Sequence, residues 1–107
     1  MVQIEYCVEP QQAEDFLRAM REVRRMRERD GAFGWFLARD PATEERHVEA
    51  FMAESWLDYL RQLERMTNAD HAIEDDARSF QQGGAPPTVT PLIAEHPNWQ
   101  GAPERVG

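Results

Sequence analysis

Two side chains that can transfer protons, His47 and Glu49, lie two positions apart in the run RHVEAFMAE. Residues two apart on a strand point to the same face of a sheet, so this spacing predicts an imidazole beside a carboxylate. A neighbouring carboxylate raises the pKa of an imidazole and can orient the ring as a general base. The alternative interpretation is an ion pair on the protein surface.

Tyr59 and His71 are two further residues with the chemistry of proton transfer. Tyr59 lies in a predicted helix that begins near Trp56, and its hydroxyl can serve as a hydrogen-bond donor or an acid. His71 opens the second half of the same helical region. We therefore name His47, Tyr59 and His71 as candidate catalytic residues, with core packing as the alternative for Tyr59 and a solvated helix position for His71.

Aromatic side chains are the natural lining of a pocket for a flat substrate, because their rings stack on it and a tyrosine or tryptophan adds a polar group. Arg39, at the end of a predicted strand beside Asp40, can balance the charge of a phenolate, although a structural ion pair is the alternative. Packing in the core is the alternative for each aromatic residue. The candidate substrate-binding residues are Tyr6, Trp35, Arg39, Glu49, Phe51 and Trp56.

The sequence predicts neither a metal nor a cofactor. Its three histidines and single cysteine do not have the spacing of helical or finger-like metal ligands. Gly83 and Gly84 precede a predicted strand, whereas a phosphate-binding loop follows one.

The 107 residues predict one domain, and the formal net charge of −8 argues against nucleic acid or an anionic membrane as a partner. All twelve basic side chains are arginines, and six of them fall in residues 18–29, interleaved with glutamates. This pattern indicates a salt-bridged helix face or, alternatively, an anion- or partner-docking surface.

The cellular location is predicted from two features of the chain. Cys7 is the only cysteine, so no disulfide can form within the chain and a reducing cytoplasm is expected. The longest apolar run, residues 32–38, is far shorter than the roughly 20 residues of a transmembrane helix.

The order of strands and helices is predicted from the spacing of the apolar residues and from the residues that interrupt regular structure. Period-two alternation predicts strands at residues 1–8, 33–38 and 46–54, with a break at 40–43, and a last strand at 88–94 with Pro91 at an edge. Helical spacing predicts a helix over 12–29. A second helix, capped by Ser55, points Trp56, Leu57, Leu60 and Leu63 inward, and a new cap at Thr67 begins a third.

The resulting order, strand–helix–strand–strand–helix–strand, predicts an α+β domain of the ferredoxin-like βαββαβ type over residues 1–96, followed by an irregular tail at 97–107. Such an antiparallel sheet has helices on one face only. Simple alternation places Phe33, Trp35 and Leu37 on one face and Phe36 on the other, so both faces are apolar. We therefore expect a second copy to cover the bare face, giving a homodimeric α+β barrel.

Three segments, GAFGWFLARDP, HVEAFMAESW and PPTVTPLIAEHP, resemble the dimeric α+β barrel superfamily that includes the antibiotic-biosynthesis monooxygenases. More closely, they resemble the soluble segment attached to the end of certain bacterial major-facilitator exporters. The resemblance covers residues 2 to about 96.

The resemblance implies two functional hypotheses. Monooxygenases of the superfamily oxidise electron-rich phenols without flavin or metal, which requires a base, anion stabilisers and a dry aromatic cavity. Many members of the superfamily carry a histidine within two helical turns after the tryptophan that follows the hairpin. That tryptophan is Trp56 here, and residues 57–65 after it contain Tyr59 and no histidine. The chain is thus expected to bind a small aromatic or polyketide-like metabolite, with cofactor-independent oxygenation as its enzymatic form, or to be a non-catalytic sensing or accessory module. An enclosed cavity reached by a histidine or tyrosine would favour the enzyme.

Overall fold

The computed structural model describes residues 1–95, which form one four-stranded antiparallel sheet and three α-helices. The strands are β1 (Val2–Cys7), β2 (Phe33–Asp40), β3 (Thr43–Met52) and β4 (Thr88–Pro91). The helices are α1 (Ala13–Arg29), preceded by a short 3-10 turn at Pro10–Gln12, α2 (Trp56–Glu64) and α3 (Asn68–Arg78). The strand order β2-β3-β1-β4 confirms the ferredoxin-like fold and places β4 at an edge. The predicted tail at 97–107 lies outside the described residues.

The core lies between the sheet and the helices. β1 contributes alternate residues to this face, as its sequence predicts, and β3 contributes the residues opposite them in register. From α1, Phe16, Met20 and Val23 pack onto the same face, since they recur at helical spacing. The buried sheet residues on this face are Val2, Ile4, Tyr6, His47, Glu49 and Phe51.

The β2–β3 hairpin turns more tightly than the sequence predicts. Asp40 pairs with Thr43, so β3 begins three residues before the expected position 46 and only Pro41 and Ala42 form the turn. The Asp40 side chain accepts a hydrogen bond from the Ala42 N–H at 2.8 Å, which stabilises the turn locally.

A β-bulge at the start of β2 corrects the predicted facing of Phe33. Phe33 pairs with Met52 and Phe36 pairs with Ala50, so Phe33 and Phe36 point to the same side although they are three residues apart. Gly34 supports the bulge with φ = 61°, a conformation that side chains other than glycine adopt at a cost. The bulge turns Trp35 toward the helices and Phe33 away from them.

The side of the sheet that faces away from the helices is here called the open face. At its β2–β3 end it carries apolar side chains, of which Phe33 is 45% and Phe36 51% exposed. Val48, Met52 and the fully buried Ala50 complete this apolar part, with Gln3 paired beside Ala50, and Glu5 and Arg46 form its polar part. In the described residues nothing packs on this face, as the sequence predicted.

The two predicted helix caps are confirmed, but α2 does not point its apolar stripe inward. Ser55 accepts a hydrogen bond from the Asp58 N–H, and Thr67 with Asp70 forms a capping box. In α2, Tyr59 and Gln62 pack toward the core. The four side chains predicted to be inward are instead each at least 37% exposed: Trp56, Leu57, Leu60 and Leu63.

Candidate functional site

A fully buried carboxylate, Glu49, lies at the centre of the helix–sheet interface. The Trp35 indole Nε1 donates a hydrogen bond to Glu49 Oε2 at 2.9 Å, and the Tyr6 hydroxyl donates to Oε1 at 3.2 Å. Arg27 donates to both oxygens, from Nε at 2.5 Å and from Nη2 at 3.3 Å. Glu49 is 0% exposed, so these donors replace the water that an ionised carboxylate would otherwise require.

Arg27 links this carboxylate to two other elements. Its Nη1 donates to Glu74 of α3 at 3.2 Å, and its guanidinium lies 5.0 Å from the centre of the Phe51 ring. Burial disfavours the guanidinium charge, but the Glu49 carboxylate outweighs this effect and raises the pKa of Arg27. We call Tyr6, Arg27, Trp35, Glu49 and Glu74 the Glu49 cluster. It ties α1 and α3 to β1, β2 and β3.

The Glu49 cluster and its neighbours fill the space where a ligand would lie between helices and sheet. The void that remains beside Arg27 and Phe51 is about 20 Å³, enough for a water molecule and far too small for an aromatic ligand. Burial, and then the Glu49 charge, raise the pKa of Tyr6, so its hydroxyl stays protonated and acts as a donor. The cluster therefore has a structural role in this conformation.

His47 is buried in the core and is not one of the donors to the Glu49 carboxylate. The two side chains share a face, as predicted, but no hydrogen bond joins them, and within residues 1–95 His47 Nδ1 has no hydrogen-bond partner. The imidazole contacts the Phe16 ring edge-on, at 5.2 Å between centres. Burial lowers the pKa of His47, and the charge of Arg39 lowers it further. Neither a base–carboxylate pair nor a surface ion pair forms.

A cavity of about 300 Å³ opens at the end of the sheet where β1 and β2 begin and β3 and β4 end. We call it the end cavity. Its volume is at the lower limit of small-molecule sites in proteins. Its lining combines residues from both sides of the sheet end: Met1, Val2, Phe33, Met52, Ala53, Glu54, Ser55, Trp56, Tyr59, Leu92, Ile93 and Ala94.

Trp56 and Tyr59 form the aromatic wall of the end cavity on the α2 side. Their ring centres are 5.6 Å apart, and Tyr59 also contacts Phe51 at 6.4 Å. Ser55 begins the helix here, and this fixes where the two rings lie. Burial raises the pKa of Tyr59, so its hydroxyl can donate a hydrogen bond or a proton but is a poor base near neutral pH.

The structure separates the predicted site residues into three groups. Tyr6, Trp35, Glu49 and Phe51 come together around Arg27, and Trp56 and Tyr59 come together at the end cavity. His47, His71 and Arg39 join neither group: His71 is exposed on α3 and Arg39 is exposed on β2.

Sequence reasoning missed the polar role of Arg27 and the cavity positions of Phe33 and Met52. Arg27 lies at helical spacing from the apolar residues of α1, which places its aliphatic stem on the inner side of the helix, but its partners come from distant segments. Gly34 was the available signal for Phe33, because an isolated glycine in a strand often marks a bulge.

A second hollow, of about 280 Å³, lies at the other end of β1 and is polar. Arg46 in its wall already binds Glu5 at 2.9 Å and Asp40 at 3.2 Å. Its charged groups therefore already have partners within the protein. Among the described residues as a whole, no group of three or more metal-binding side chains comes together.

Replacing Arg27 tests the Glu49 cluster. We expect Arg27→Met to lower the free energy of unfolding by about 3–5 kcal/mol, because it leaves an uncompensated buried carboxylate. Arg18→Met is the matched control: Arg18 pairs with Asp15 on the exposed face of α1, and its loss should cost less than about 1 kcal/mol. Urea denaturation of both variants measures the difference, and equal losses would contradict the role of Arg27.

The buried His47 should make the fold sensitive to mild acid. Its pKa in the folded state is lowered from 6.5, so the unfolded chain takes up the proton first. Neutral His47 therefore makes its full contribution to the free energy of unfolding above about pH 6.5. That contribution is lost as the pH falls toward the folded-state pKa of His47. We expect His47→Leu to flatten the dependence of unfolding free energy on pH between about 5 and 7, whereas the exposed-site variant His71→Gln should not. Parallel slopes for His47→Leu and the parent protein would refute this expectation.

Comparison with solved structures supports the fold. The chain superposes on an antibiotic biosynthesis monooxygenase structure from Bordetella bronchiseptica with a TM-score of 0.68 and 18% identity, covering 83% of this chain and 89% of that one. A second structure described as an antibiotic biosynthesis monooxygenase gives a TM-score of 0.67 and 15% identity, covering 90% of this chain and 100% of that one. At these identities the likeness shows a shared fold. No curated protein matches the chain significantly.

The sequence family is shown by a separate comparison. The family model described as transmembrane secretion effector matches residues 1–98, nearly the whole chain, and agrees with the resemblance to exporter-linked segments. Within residues 1–95, no helix combines the length and the apolar composition that crossing a bilayer requires. The chain belongs to the transmembrane secretion effector family, and its described part has the fold of the antibiotic biosynthesis monooxygenases.

Proposed function

We propose that this protein binds a small aromatic metabolite in the end cavity, as a non-catalytic sensing or accessory module. The proposal rests on one observation, the place where the structure has room for a ligand. The helix–sheet interior is closed by the Glu49 cluster, whereas the end cavity offers about 300 Å³ walled by Phe33, Trp56 and Tyr59. Aromatic rings favour a flat apolar ligand, and the Tyr59 hydroxyl supplies a hydrogen bond to orient it.

Neither candidate histidine lines this cavity, which supports binding over chemistry, although the Glu54 carboxylate and Tyr59 do line it. Of the three candidate catalytic residues, only Tyr59 lines it. His47 is enclosed in the core beside Phe16, and His71 lies on the outer surface of α3. An accessory role also agrees with the family, whose description refers to secretion. The cytoplasmic location predicted from the lone Cys7 is part of this proposal.

The proposed assembly is a homodimer that buries the open face. Phe33 and Phe36 are about half exposed on that face, and Val48 and Met52 lie beside them. Packing a second sheet on these side chains removes apolar surface from water, which contributes about 25 cal/mol for each Å² buried. The result would be the two-sheet barrel expected from the apolar pattern of the strands.

Binding of 2-naphthol, a simple bicyclic phenol, tests the proposed site. We expect Trp56→Ala to weaken binding by about tenfold or more, because it removes one aromatic wall. Leu57→Ala is the control, since Leu57 is the adjacent exposed residue of α2 and does not line the cavity. Titration calorimetry measures both. Equal affinities for the two variants would place the ligand elsewhere.

Cofactor-independent oxygenation of a phenol is the second candidate function. Two observations favour it: the fold is that of solved structures described as monooxygenases, and a tyrosine hydroxyl lines the end cavity. A substrate that enters as its anion would give electrons to dioxygen, and Tyr59, protonated because its pKa is raised, would donate a proton to the peroxide formed. For an anthrone, the balance is one dioxygen consumed and one water released for each anthraquinone.

Oxygen uptake separates the two candidate functions. If the protein is an oxygenase, 1,8-dihydroxyanthrone should consume oxygen without added flavin, and Tyr59→Phe should slow the uptake by about 100-fold or more. Tyr6→Phe is the matched control, because that hydroxyl is engaged with Glu49 in the core. Uptake by the parent protein no faster than in buffer, across a panel of phenols, would remove the oxygenase candidate and leave the binding function.

A further inference from the structure

Among the described residues, Glu54 is the one charged side chain that lines the end cavity. It directly precedes Ser55, the N-cap of α2, and so lies two positions before Trp56. Glu54 is exposed, and within residues 1–95 no ion pair involves it, while the basic residue of α2, Arg61, pairs with Asp58 at 3.8 Å. Its negative charge is therefore available to a group that enters the cavity.

The aromatic wall of the end cavity also favours positive charge. The face of an aromatic ring is electron-rich and attracts cations, and tryptophan does so most strongly. The ring planes of Trp56 and Tyr59 are inclined at 43°, with 5.6 Å between their centres. A flat ligand that stacks on one ring thus meets the other at an angle, where a cationic substituent on the ligand can contact it.

The other polar groups of the lining have partners within the protein or carry no charge. Ser55 Oγ accepts a hydrogen bond from the Asp58 N–H at 3.1 Å, and Tyr59 keeps its proton because its pKa is raised. The Met1 amino group is the positive charge of the lining, and it donates to the Leu92 carbonyl oxygen at 2.7 Å. The net charge of −8 over the whole chain adds a field that attracts cations and repels anions.

We propose that the end cavity selects a small aromatic ligand that carries a protonated amino group, with Glu54 as the partner of the ammonium and the rings of Trp56 and Tyr59 as the partners of the aromatic part. The inference rests on the proposed binding function and names the class of ligand. It also separates binding from oxygenation, because a carboxylate in the cavity disfavours the phenolate anion that oxygenation requires.

Three naphthalene derivatives of nearly the same shape test the preference for charge. Near pH 7, 2-naphthylmethylamine is a cation, 2-naphthylmethanol is neutral and 2-naphthoate is an anion. We expect the parent protein to bind the amine about tenfold more tightly than the alcohol, and the carboxylate most weakly. Titration calorimetry at low ionic strength measures the three affinities, since salt screens charge pairs at exposed sites.

Glu54→Gln assigns the preference to one side chain, because it removes the charge and keeps the size. We expect it to weaken binding of the amine by about three- to fivefold and to leave binding of the alcohol unchanged. Unchanged affinity for the alcohol also shows that the variant is folded. Glu64→Gln is the matched control: Glu64 is exposed at the other end of α2 and does not line the cavity, so this variant should bind all three probes as the parent does.

Each failure has its own signature. Equal affinities of the parent protein for the amine and the alcohol would overturn the preference for a cation and leave the binding function standing. A 2-naphthoate affinity as high as that of the amine would overturn it too, because the Met1 amino group would then count as much as Glu54. If Glu54→Gln keeps the full preference, or if Glu64→Gln loses as much of it, Glu54 is not the partner of the ammonium. If none of the three probes binds, the proposed function itself fails.

Discussion

The fold depends on how one buried carboxylate is satisfied. Glu49 has no contact with water, and an ionised group in that position is tolerated only if donors surround it. Arg27, Tyr6 and Trp35 provide those donors from α1, β1 and β2, and Glu74 of α3 accepts a further bond from Arg27. Because these bonds are directional, they fix the positions of both helices on the sheet more narrowly than apolar packing alone would. The Glu49 cluster thus connects both helices to the sheet through polar contacts as well as apolar packing.

This arrangement determines where a ligand can be held. With the helix–sheet interior occupied, α2 covers the core through Tyr59 and Gln62 and leaves its apolar side exposed. The aromatic residues Trp56 and Tyr59 then border the end of the sheet, where the bulged start of β2 brings Phe33 to the same space. A fold shared with structures described as monooxygenases does not show where a ligand binds, since function depends on the local side chains.

Local patterns in the sequence predicted most of the fold, because strand alternation and helix caps are properties of neighbouring residues. Ser55 and Thr67 were identified as caps from their types and spacing, and alternation puts Tyr6 on the same face of β1 as Val2 and Ile4, which the structure shows to be the buried one. The site was predicted less well. The facing of Phe33 depends on a bulge, and the partner of Glu49 proved to be Arg27, 22 residues away, and not the neighbouring His47. Neither follows from spacing, since both depend on how separate elements pack.

The interior between the helices and the sheet is closed, and we propose that ligands bind at the end cavity. The indole groups of Trp35 and Trp56 report on the two places separately, because Trp35 donates to Glu49 and Trp56 lines the cavity. Nuclear magnetic resonance of the tryptophan indole N–H groups during titration with 2-naphthol is the most direct test. If ligands bind at the end cavity, the Trp56 resonance shifts while that of Trp35 does not move. A shift of the Trp35 resonance with Trp56 unchanged would contradict it.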